Sequence, residues 1–216
     1  LNQMTDGLMD HNQELTSTFT NRSDEVGTLA RALDAKTIHL KKLAQVDSLT
    51  GLSNRETFID SLPNLIKKAK FKKNLLAIFF IDLDNFKDIN DSFGHALGDR
   101  VLIDIAKLLA AKTRESDCLC RLGGDEFALS ISNVNNTHVL GSMAQRYLKV
   151  IPEKYSMDGN TISLSLSIGI AIYPYAGVDH LELLKKADIA MYKAKELGKN
   201  NYVFYSDKLH SEIQRR

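Results

Sequence analysis

Two groups of acidic residues follow apolar or turn-forming segments of this 216-residue sequence, and their spacing suits divalent-cation chemistry. Asp82 and Asp84 come directly after the apolar run 75–81, and Asp125 and Glu126 come directly after a Gly-Gly pair. Because side chains alternate along a strand, Asp82 and Asp84 share one face. A hairpin at the Gly-Gly pair brings Asp125 close to Asp82 if its second strand lies beside run 75–81. Clustered carboxylates repel one another unless a cation lies between them, and all-oxygen ligands favour Mg²⁺. The alternative is that these acids only mark turns and solvent edges.

Several nearby polar residues are of types that bind a nucleotide. Lys87, in the predicted turn after the first acidic pair, could meet a phosphate as a point charge. Asn90 and Asp99 could contact a base, because a carboxylate accepts from both N1–H and the 2-amino group of guanine, which adenine lacks. Helix capping is the alternative for both. Lys195 and Lys199 lie one turn apart at a predicted helix end. They could bind phosphate together, or they could merely be cations favoured by the helix dipole.

The elements that must position these residues are helices interleaved with strands. Periodicity predicts helices over 55–72, 97–112, 137–150 and 181–197. It predicts strands over 75–81, 118–122, 127–131, 161–172 and 202–205. Run 75–81 is apolar throughout, so we expect it at the centre of the sheet, covered on both faces. The pattern indicates an α/β fold whose sheet contains antiparallel pairs.

The first 46 residues have a different character, with leucines at heptad spacing. The apolar positions are Val26, Leu29, Leu33, Leu40 and Leu43, interrupted by Lys36. They predict a short parallel coiled-coil seam, or alternatively an amphipathic helix packed on its own domain.

Composition excludes several classes of protein. Lys and Arg number 28 against 27 Asp and Glu, so the net charge of +1 argues against a nucleic-acid partner. The longest apolar run is too short to span a bilayer, and no secretory signal is present. The two cysteines, Cys118 and Cys120, predict neither a disulfide nor a CxxC metal site. The first residue, Leu1, suggests a fragment of a longer protein.

Several ordered sequence blocks resemble the GGDEF family of diguanylate cyclases. The signature is Gly123-Gly124-Asp125-Glu126-Phe127, preceded by Arg121-Leu122. Further matches are residues 47–55 (DSLTGLSNR), 80–90 (FIDLDNFKDIN), 93–95 (FGH), 98–99 (GD), 167–169 (SIG), and 187–188 (AD) followed by 191–195 (MYKAK). The resemblance runs from about residue 44 to 206, and the order and spacing of the blocks make it specific.

The resemblance implies a fold like that of nucleotidyl cyclases and the polymerase palm, and condensation of two GTP into cyclic di-GMP and two pyrophosphates. It implies Mg²⁺ or Mn²⁺ as cofactor. The implied metal ligands are Asp82, the Leu83 carbonyl and Asp125, with Asp125 also as base for the 3′-hydroxyl, Glu126 beside the metals and Asp84 assisting. The implied guanine contacts are Asn90 and Asp99, and the implied phosphate contacts are Lys87, Lys195 and Lys199. Arg is common in the family at the position of Lys199, and Lys lacks its bidentate fork.

The resemblance also implies product feedback. Arg114 and Asp117 fit the family's RxxD inhibitory site, in register with Gly123, and Arg146 could complete it. We expect Arg114 and Asp117 to share one face at the end of the helix before the hairpin. The alternative is an ordinary surface pair, worth little.

Residues 24–29 (DEVGTL) resemble the end of a HAMP linker. This implies a partial HAMP and signalling helix over 1–46, a cyclase domain over 47–206 and a tail over 207–216. It also implies a homodimer on the cytoplasmic side of an inner-membrane protein, beneath a sensor. The alternatives are a non-catalytic module that binds GTP or cyclic di-GMP, and a structural dimerisation element.

Overall fold

Strand β1 (Leu75–Asp84) lies at the centre of the sheet and carries the first acidic pair at its end. The computed structural model describes Thr28, Ala32 and residues 45–152 and 155–206. The helices described between residues 46 and 206 are α1 (Arg55–Lys72), α2 (Phe86–Phe93), α3 (His95–Ala110), α4 (His138–Leu148) and α5 (His180–Glu196). The other strands are β2 (Cys118–Gly123), β3 (Glu126–Val134), β4 (Tyr155–Met157), β5 (Asn160–Ile162), β6 (Ser165–Tyr173) and β7 (Asn201–Phe204).

The main sheet has the order β2-β3-β1-β6-β7, and β4 and β5 form a separate hairpin. Strand β1 pairs antiparallel with both β3 and β6, and β2 pairs antiparallel with β3. Only the edge pair β6–β7 is parallel among these described strands. The predicted central position of run 75–81 and the antiparallel pairs are therefore confirmed.

Helices cover both faces of β1, which explains why its sequence is apolar throughout. Leu76, Ile78 and Phe80 point to one face, where they pack with the buried side chains of α1 and α5. The alternate residues, among them Phe79 and Ile81, pack with α3 and α4 on the other face. By the same alternation Asp82 and Asp84 continue the α1/α5 face, so this face changes from apolar to acidic at the end of the strand.

Helix α5 lies unusually close to β6, and Gly169 makes this possible. A Cβ atom at Gly169 would lie 1.9 Å from the Ala187 carbonyl oxygen and 2.1 Å from the Met191 nitrogen. No larger residue fits between the strand and the helix at this point. The close contact fixes the path of α5 toward its last turn, which carries Lys195.

Several predicted elements need correction. The predicted helix over 55–72 is confirmed by α1, but β1 runs three residues beyond 81. Helix α2 was missed; its eight residues bury only Phe86 and Ile89, too few for a clear periodic signal. The strand predicted over 161–172 is two strands, because β5 pairs with β4 whereas β6 pairs with β1.

Several sequence expectations lie outside the described residues. These are the heptad seam, the HAMP-like segment and the tail over 207–216. Within the part of the chain that is described, no helix combines the length and the apolar character needed to cross a bilayer.

Candidate active site

The two acidic groups meet where the end of β1 lies beside the start of β3. Asp82 is the direct cross-strand partner of Glu126, and the Leu83 N–H donates to the Asp125 carbonyl oxygen (3.3 Å). The proximity of Asp125 to Asp82 predicted from the hairpin is therefore present. The carboxylates come from residues 43 positions apart in the chain, and β-sheet pairing alone brings them together.

The turn that carries Asp125 differs by one residue from the predicted one. Gly123 still pairs with Glu126, so the two-residue loop is Gly124-Asp125 rather than Gly123-Gly124. Arg121 holds this loop, since its Nε and Nη2 donate to the Gly124 carbonyl oxygen (2.9 and 2.7 Å). Asp125 therefore lies on the loop itself and Glu126 begins β3, and both side chains are half-buried.

Arg121 also joins the signature loop to the segment before α1. Its Nη1 donates to both carboxylate oxygens of Asp47 (3.1 and 3.2 Å). Burial raises the pKa of Asp47, but hydrogen bonds from Thr50 and Arg121 outweigh it and leave this pKa below its ordinary value. In the sequence, Arg121 and Asp47 were identified only as residues of the family motifs, and the contact between them was not predicted. The two lie 74 residues apart, and no local pattern signals their pairing.

Asp82 is a buried carboxylate in an unfavourable electrostatic environment. Asp82 is 4% exposed, and burial raises the pKa of its carboxyl group to about 6. The positive charge of Lys195 opposes this rise in pKa, and the negative charge of Asp125 reinforces it. The Lys195 ammonium lies 2.7 Å from Asp82 Oδ1, as an ion pair without the alignment of a hydrogen bond. One lysine therefore does not offset the burial of this charge.

Glu126 adds to the negative potential. Burial raises its pKa, as do the nearby charges of Asp188 on α5 and of Asp125, while Arg55 and Lys195 act in the opposite direction. Perturbed carboxyl groups from two strands and a helix thus converge at this corner, a pattern typical of functional sites.

The donor set of this corner suits a hard divalent cation. Asp82, Asp125 and the Leu83 carbonyl offer only oxygen, and Mg²⁺ is bound by one or two carboxylates with phosphate and water completing its shell. A cation would also relieve the repulsion that raises the pKa of Asp82. Over residues 45–152 and 155–206, however, no three acidic, histidine or cysteine side chains are already gathered as a metal cage. The residues fit a cation shared with a phosphate-bearing ligand rather than an all-protein site.

Asp84 is also buried, but its environment is entirely different. The Ser165 and Ser167 hydroxyls donate to its two oxygens (2.6 and 2.7 Å), and the Asn200 N–H donates to Oδ2 (3.1 Å). Both oxygens of Asp84 thus accept protein hydrogen bonds, and the expectation that Asp84 assists the metals stays a prediction. Ser165, Ser167 and Asn200 were missed, since the partners lie 81 or more residues away.

The predicted guanine contacts meet at the corner between α2 and α3. Asn90 lies inside α2 and Asp99 inside α3, and neither caps a helix, because the N-caps are Asn85 and Gly94. A Cβ atom at Gly98 would lie 2.0 Å from Asn90 Oδ1, so the Asn90 carboxamide passes directly over the residue before Asp99. Asp99 is exposed. The capping alternative is therefore wrong for both residues.

The predicted phosphate contacts come from the start of α2, the last turn of α5 and the loop after α5. Lys87 is an exposed residue of α2, not of a turn as predicted. Lys195 lies in the last turn of α5, whereas Lys199 lies in the following loop rather than on the helix. Its Nζ donates to Asn85 Oδ1 (2.6 Å), beside the start of α2. The fold thus brings Lys199 to the helix that carries Lys87, and Lys195 to Asp82.

The residues of the predicted feedback site lie in a loop, not on a helix. Helix α3 ends at Ala110, and the Asp117 N–H donates to the Arg114 carbonyl oxygen (3.0 Å) in a turn. The helix ends there because the Thr113 hydroxyl donates to the Leu109 carbonyl oxygen (2.9 Å) as the chain turns away. Asp117 Oδ1 accepts the Ser132 N–H (3.2 Å), and Asp117 Oδ2 is buried without a hydrogen bond.

Arg146 lies beside this loop. Its Nη2 donates to the Lys112 carbonyl oxygen (3.1 Å), and its guanidinium lies over the Tyr147 ring, 5.7 Å from the centroid. Arg114 itself is exposed.

Comparison with known proteins agrees with this geometry. Residues 44–201 match the family described as diguanylate cyclase, GGDEF domain. The bifunctional diguanylate cyclase/cyclic di-GMP phosphodiesterase MucR of Pseudomonas aeruginosa is 39% identical over 186 residues, which are 86% of this chain and 27% of MucR. Diguanylate cyclase TpbB of the same species is 38% identical over 189 residues, which are 87% of this chain and 43% of TpbB. The chain therefore spans less than half the length of these relatives.

Solved structures give the same result. One that comprises only the GGDEF domain of TpbB is 38% identical, has a TM-score of 0.74, and covers 78% of this chain and 99% of that chain. Another, of a microbial GGDEF domain interacting with cyclic di-GMP, is 30% identical, has a TM-score of 0.65, and covers 76% of this chain and 99% of that chain. The chain belongs to the GGDEF domain family of diguanylate cyclases.

Proposed function

We propose that this protein is an active diguanylate cyclase, which condenses two GTP into cyclic di-GMP and two pyrophosphates within a homodimer. The observation that carries the proposal is the pairing of Asp82 with Glu126 at the ends of β1 and β3, next to Asp125. A buried carboxylate whose pKa is raised to about 6 is costly to maintain, and a cation-dependent reaction explains its presence.

The chain's own residues divide the work of the reaction. Asp82, the Leu83 carbonyl and Asp125 would hold Mg²⁺ or Mn²⁺, which when bound neutralises charge on the reacting phosphate. Asp125, half-buried on its loop, would accept the proton of the attacking 3′-hydroxyl. Lys195, now paired with Asp82, and Lys199 would hold the phosphates, with Lys87 nearby.

The direct test is incubation of the purified chain with GTP and Mg²⁺, followed by chromatography of the nucleotides and a pyrophosphate assay. We expect cyclic di-GMP with two pyrophosphates released per molecule formed. Binding of GTP or cyclic di-GMP without turnover would identify the non-catalytic binding module instead.

In this proposal, Asn90 and Asp99 select the nucleobase of the substrate. Asp99 would accept from N1–H and the 2-amino group of guanine, and the Asn90 carboxamide over Gly98 would support the base from α2. We therefore expect ATP to be a much poorer substrate than GTP. Asp99→Asn should reduce the preference for GTP over ATP. It should leave the thermal stability of the protein almost unchanged, because Asp99 is exposed.

Dimer formation follows from the symmetry of the product, because one domain holding one GTP cannot complete both bonds. We propose that residues 1–46 form the HAMP-like stalk that sets how often two sites meet, on the cytoplasmic side of an inner-membrane sensor protein. Glutamates at Leu33 and Leu40 should weaken dimerisation and lower specific activity, most strongly in dilute protein. Specific activity that is independent of concentration in demonstrably monomeric protein would refute this.

We also propose that the loop with Arg114 and Asp117 binds cyclic di-GMP as an inhibitor. Support comes from the buried Asp117 Oδ2, which lacks a hydrogen bond, and from Arg146 on the neighbouring helix. Arg114→Ala should leave the initial rate near that of the wild type but weaken inhibition about 10- to 100-fold, the usual worth of a charged hydrogen bond. Equal inhibition of both proteins by added cyclic di-GMP would show that Arg114 is only a surface arginine.

A further inference from the structure

The buried carboxylate of Asp84 connects strand β6 to the loop between α5 and β7. It is 1% exposed, and its three hydrogen bonds come from two places. Ser165 and Ser167 belong to β6, which pairs directly with β1, so this half of the contact is rigid. The third donor, the Asn200 N–H, belongs to the loop between α5 and β7.

This loop has a backbone that needs to be held. Gly198, Lys199 and Asn200 follow one another with φ angles of 112°, 62° and 45°. Left-handed conformations are unfavourable for residues with a side chain and persist only where the surroundings fix them. Helix α5 fixes one side, because the N–H groups of Gly198 and Lys199 donate to its last carbonyls. Asp84 fixes the other side through Asn200.

The same loop carries the phosphate-binding lysine. Lys199 Nζ donates to Asn85 Oδ1 (2.6 Å), and Asn85 is itself left-handed, with φ of 64°. Asn85 follows Asp84 directly in the chain, and Asn200 follows Lys199. Two neighbouring pairs of residues therefore cross-link the end of β1 to the end of α5, with Asp84 as the buried member.

We propose that Asp84 is a positioning residue for the phosphate site rather than a metal ligand. By accepting the Asn200 N–H, it holds the α5–β7 loop in its left-handed form and so keeps Lys199 beside the start of α2, where the phosphates of GTP are bound. This inference rests on the proposed function for the identity of the ligand. The position of the loop does not depend on it.

The proposal predicts that Asp84 acts on nucleotide binding and not on the metal requirement. Asp84→Ala removes the acceptor of the Asn200 N–H, so exchange of this amide with deuterium should accelerate at least about tenfold. KM for GTP should rise about tenfold, the usual worth of a lysine–phosphate contact, while the Mg²⁺ concentration for half-maximal rate stays constant. Asp88→Ala, which removes an exposed carboxylate four residues further on, should change neither quantity.

Two further variants make the test specific. Asp84→Asn keeps one carbonyl oxygen for the Asn200 N–H, and its amide can donate to a serine hydroxyl, so slow exchange and most of the GTP affinity should return. Lys199→Met should raise KM as Asp84→Ala does, and the double variant should add little, because both changes act through one lysine.

The outcomes separate this proposal from the proposed function. If the wild type makes no cyclic di-GMP, the exchange rate of Asn200 and the binding of a fluorescent GTP analogue still test the role of Asp84. Unchanged exchange and affinity in Asp84→Ala would overturn it. The proposal would also be overturned if Asp84→Asn, shown by circular dichroism to be folded, loses turnover and requires more Mg²⁺, as expected for a metal-ligand variant. This variant remains informative if Asp84→Ala does not fold.

Discussion

Asp82 and Asp84 lie two residues apart on the same face of the same strand, yet the fold treats them in opposite ways. Asp84 accepts hydrogen bonds from three protein donors. Asp82 has one lysine beside it and two acidic neighbours across the strand end, and its pKa is raised to about 6. The comparison teaches that a satisfied buried acid stabilises the fold, whereas an unsatisfied one is a candidate for chemistry.

The largest expected effect comes from the acid on the signature loop opposite Asp82. Asp125→Asn keeps the shape of the side chain but removes the charge, so turnover should fall by about a thousandfold or more through loss of the base and of a metal ligand. The fold should survive, because Asp125 lies in a turn. Chromatographic detection of cyclic di-GMP measures this, and Asp60→Asn on the exposed side of α1 is the matched control. Retained synthesis in folded Asp125→Asn would contradict the assignment.

The two carboxylates should differ in the sign of their effect on stability. The folded-state pKa of Asp82 is about 6, above its ordinary 3.8, so the ionised form destabilises the fold above pH 6. This penalty fades between pH 6 and 3.8 and is absent at lower pH. At pH 8, Asp82→Asn should therefore raise Tm, by an amount that corresponds to at most about 3 kcal/mol, and the attraction of Lys195 is already included in the pKa on which this figure is based. Asp84→Ala should lower Tm.

Thermal unfolding at pH 8 and pH 4, followed by circular dichroism, tests this difference. The gain in Asp82→Asn should shrink almost to zero at pH 4. A lower Tm for Asp82→Asn at pH 8 would mean that the Lys195 ion pair stabilises the fold more than burial of the charge destabilises it.

The same raised pKa should make metal activation depend on pH. A carboxyl with a pKa of about 6 is mostly ionised at pH 7 and about one-tenth ionised at pH 5. Because protons compete with the cation for Asp82, the Mg²⁺ concentration for half-maximal nucleotide binding should rise about tenfold between these values. Titration of a fluorescent GTP analogue at both pH values measures it, and an unchanged requirement would argue that Asp82 does not bind the metal.

The smallest expected effect concerns Arg121, which holds the Asp125 loop as Asp84 holds the Lys199 loop. Arg121→Lys loses the two hydrogen bonds to the Gly124 carbonyl oxygen while keeping the charge beside Asp47. We expect kcat to fall several-fold with KM for GTP nearly constant, because the role proposed for Asp125 on this loop is in the reaction step. A rise in KM without change in kcat would place Arg121 with the phosphate-binding loop instead.

The sequence predicts that Asp82 and Asp125 lie close together, but it does not predict the hydrogen bonds of Asp84. The apolar run before Asp82 and the glycines before Asp125 predict adjacent strand ends, and the structure contains this pairing. The role of Asp84 was not predictable, because its donors come from β6 and from the loop after α5. Local patterns carry no information on contacts between residues so far apart.

The same limit explains the smaller errors. Helix α2 was missed because only two of its residues, Phe86 and Ile89, are buried. The helix expected through Arg114 ends earlier, where the Thr113 hydroxyl bonds back to Leu109 and the chain turns. In both places the periodic signal is short, and hydrogen bonds rather than apolar spacing decide the path of the backbone.

The most direct test of the account is the initial rate of cyclic di-GMP synthesis from GTP and Mg²⁺, measured side by side for wild type, Asp82→Asn and Asp84→Asn at saturating GTP. Each variant replaces one buried carboxylate of β1 by its amide. We expect synthesis by the wild type, none detectable from Asp82→Asn, and most of the wild-type rate from Asp84→Asn. Equal losses in the two variants, or undiminished synthesis by Asp82→Asn, would contradict it.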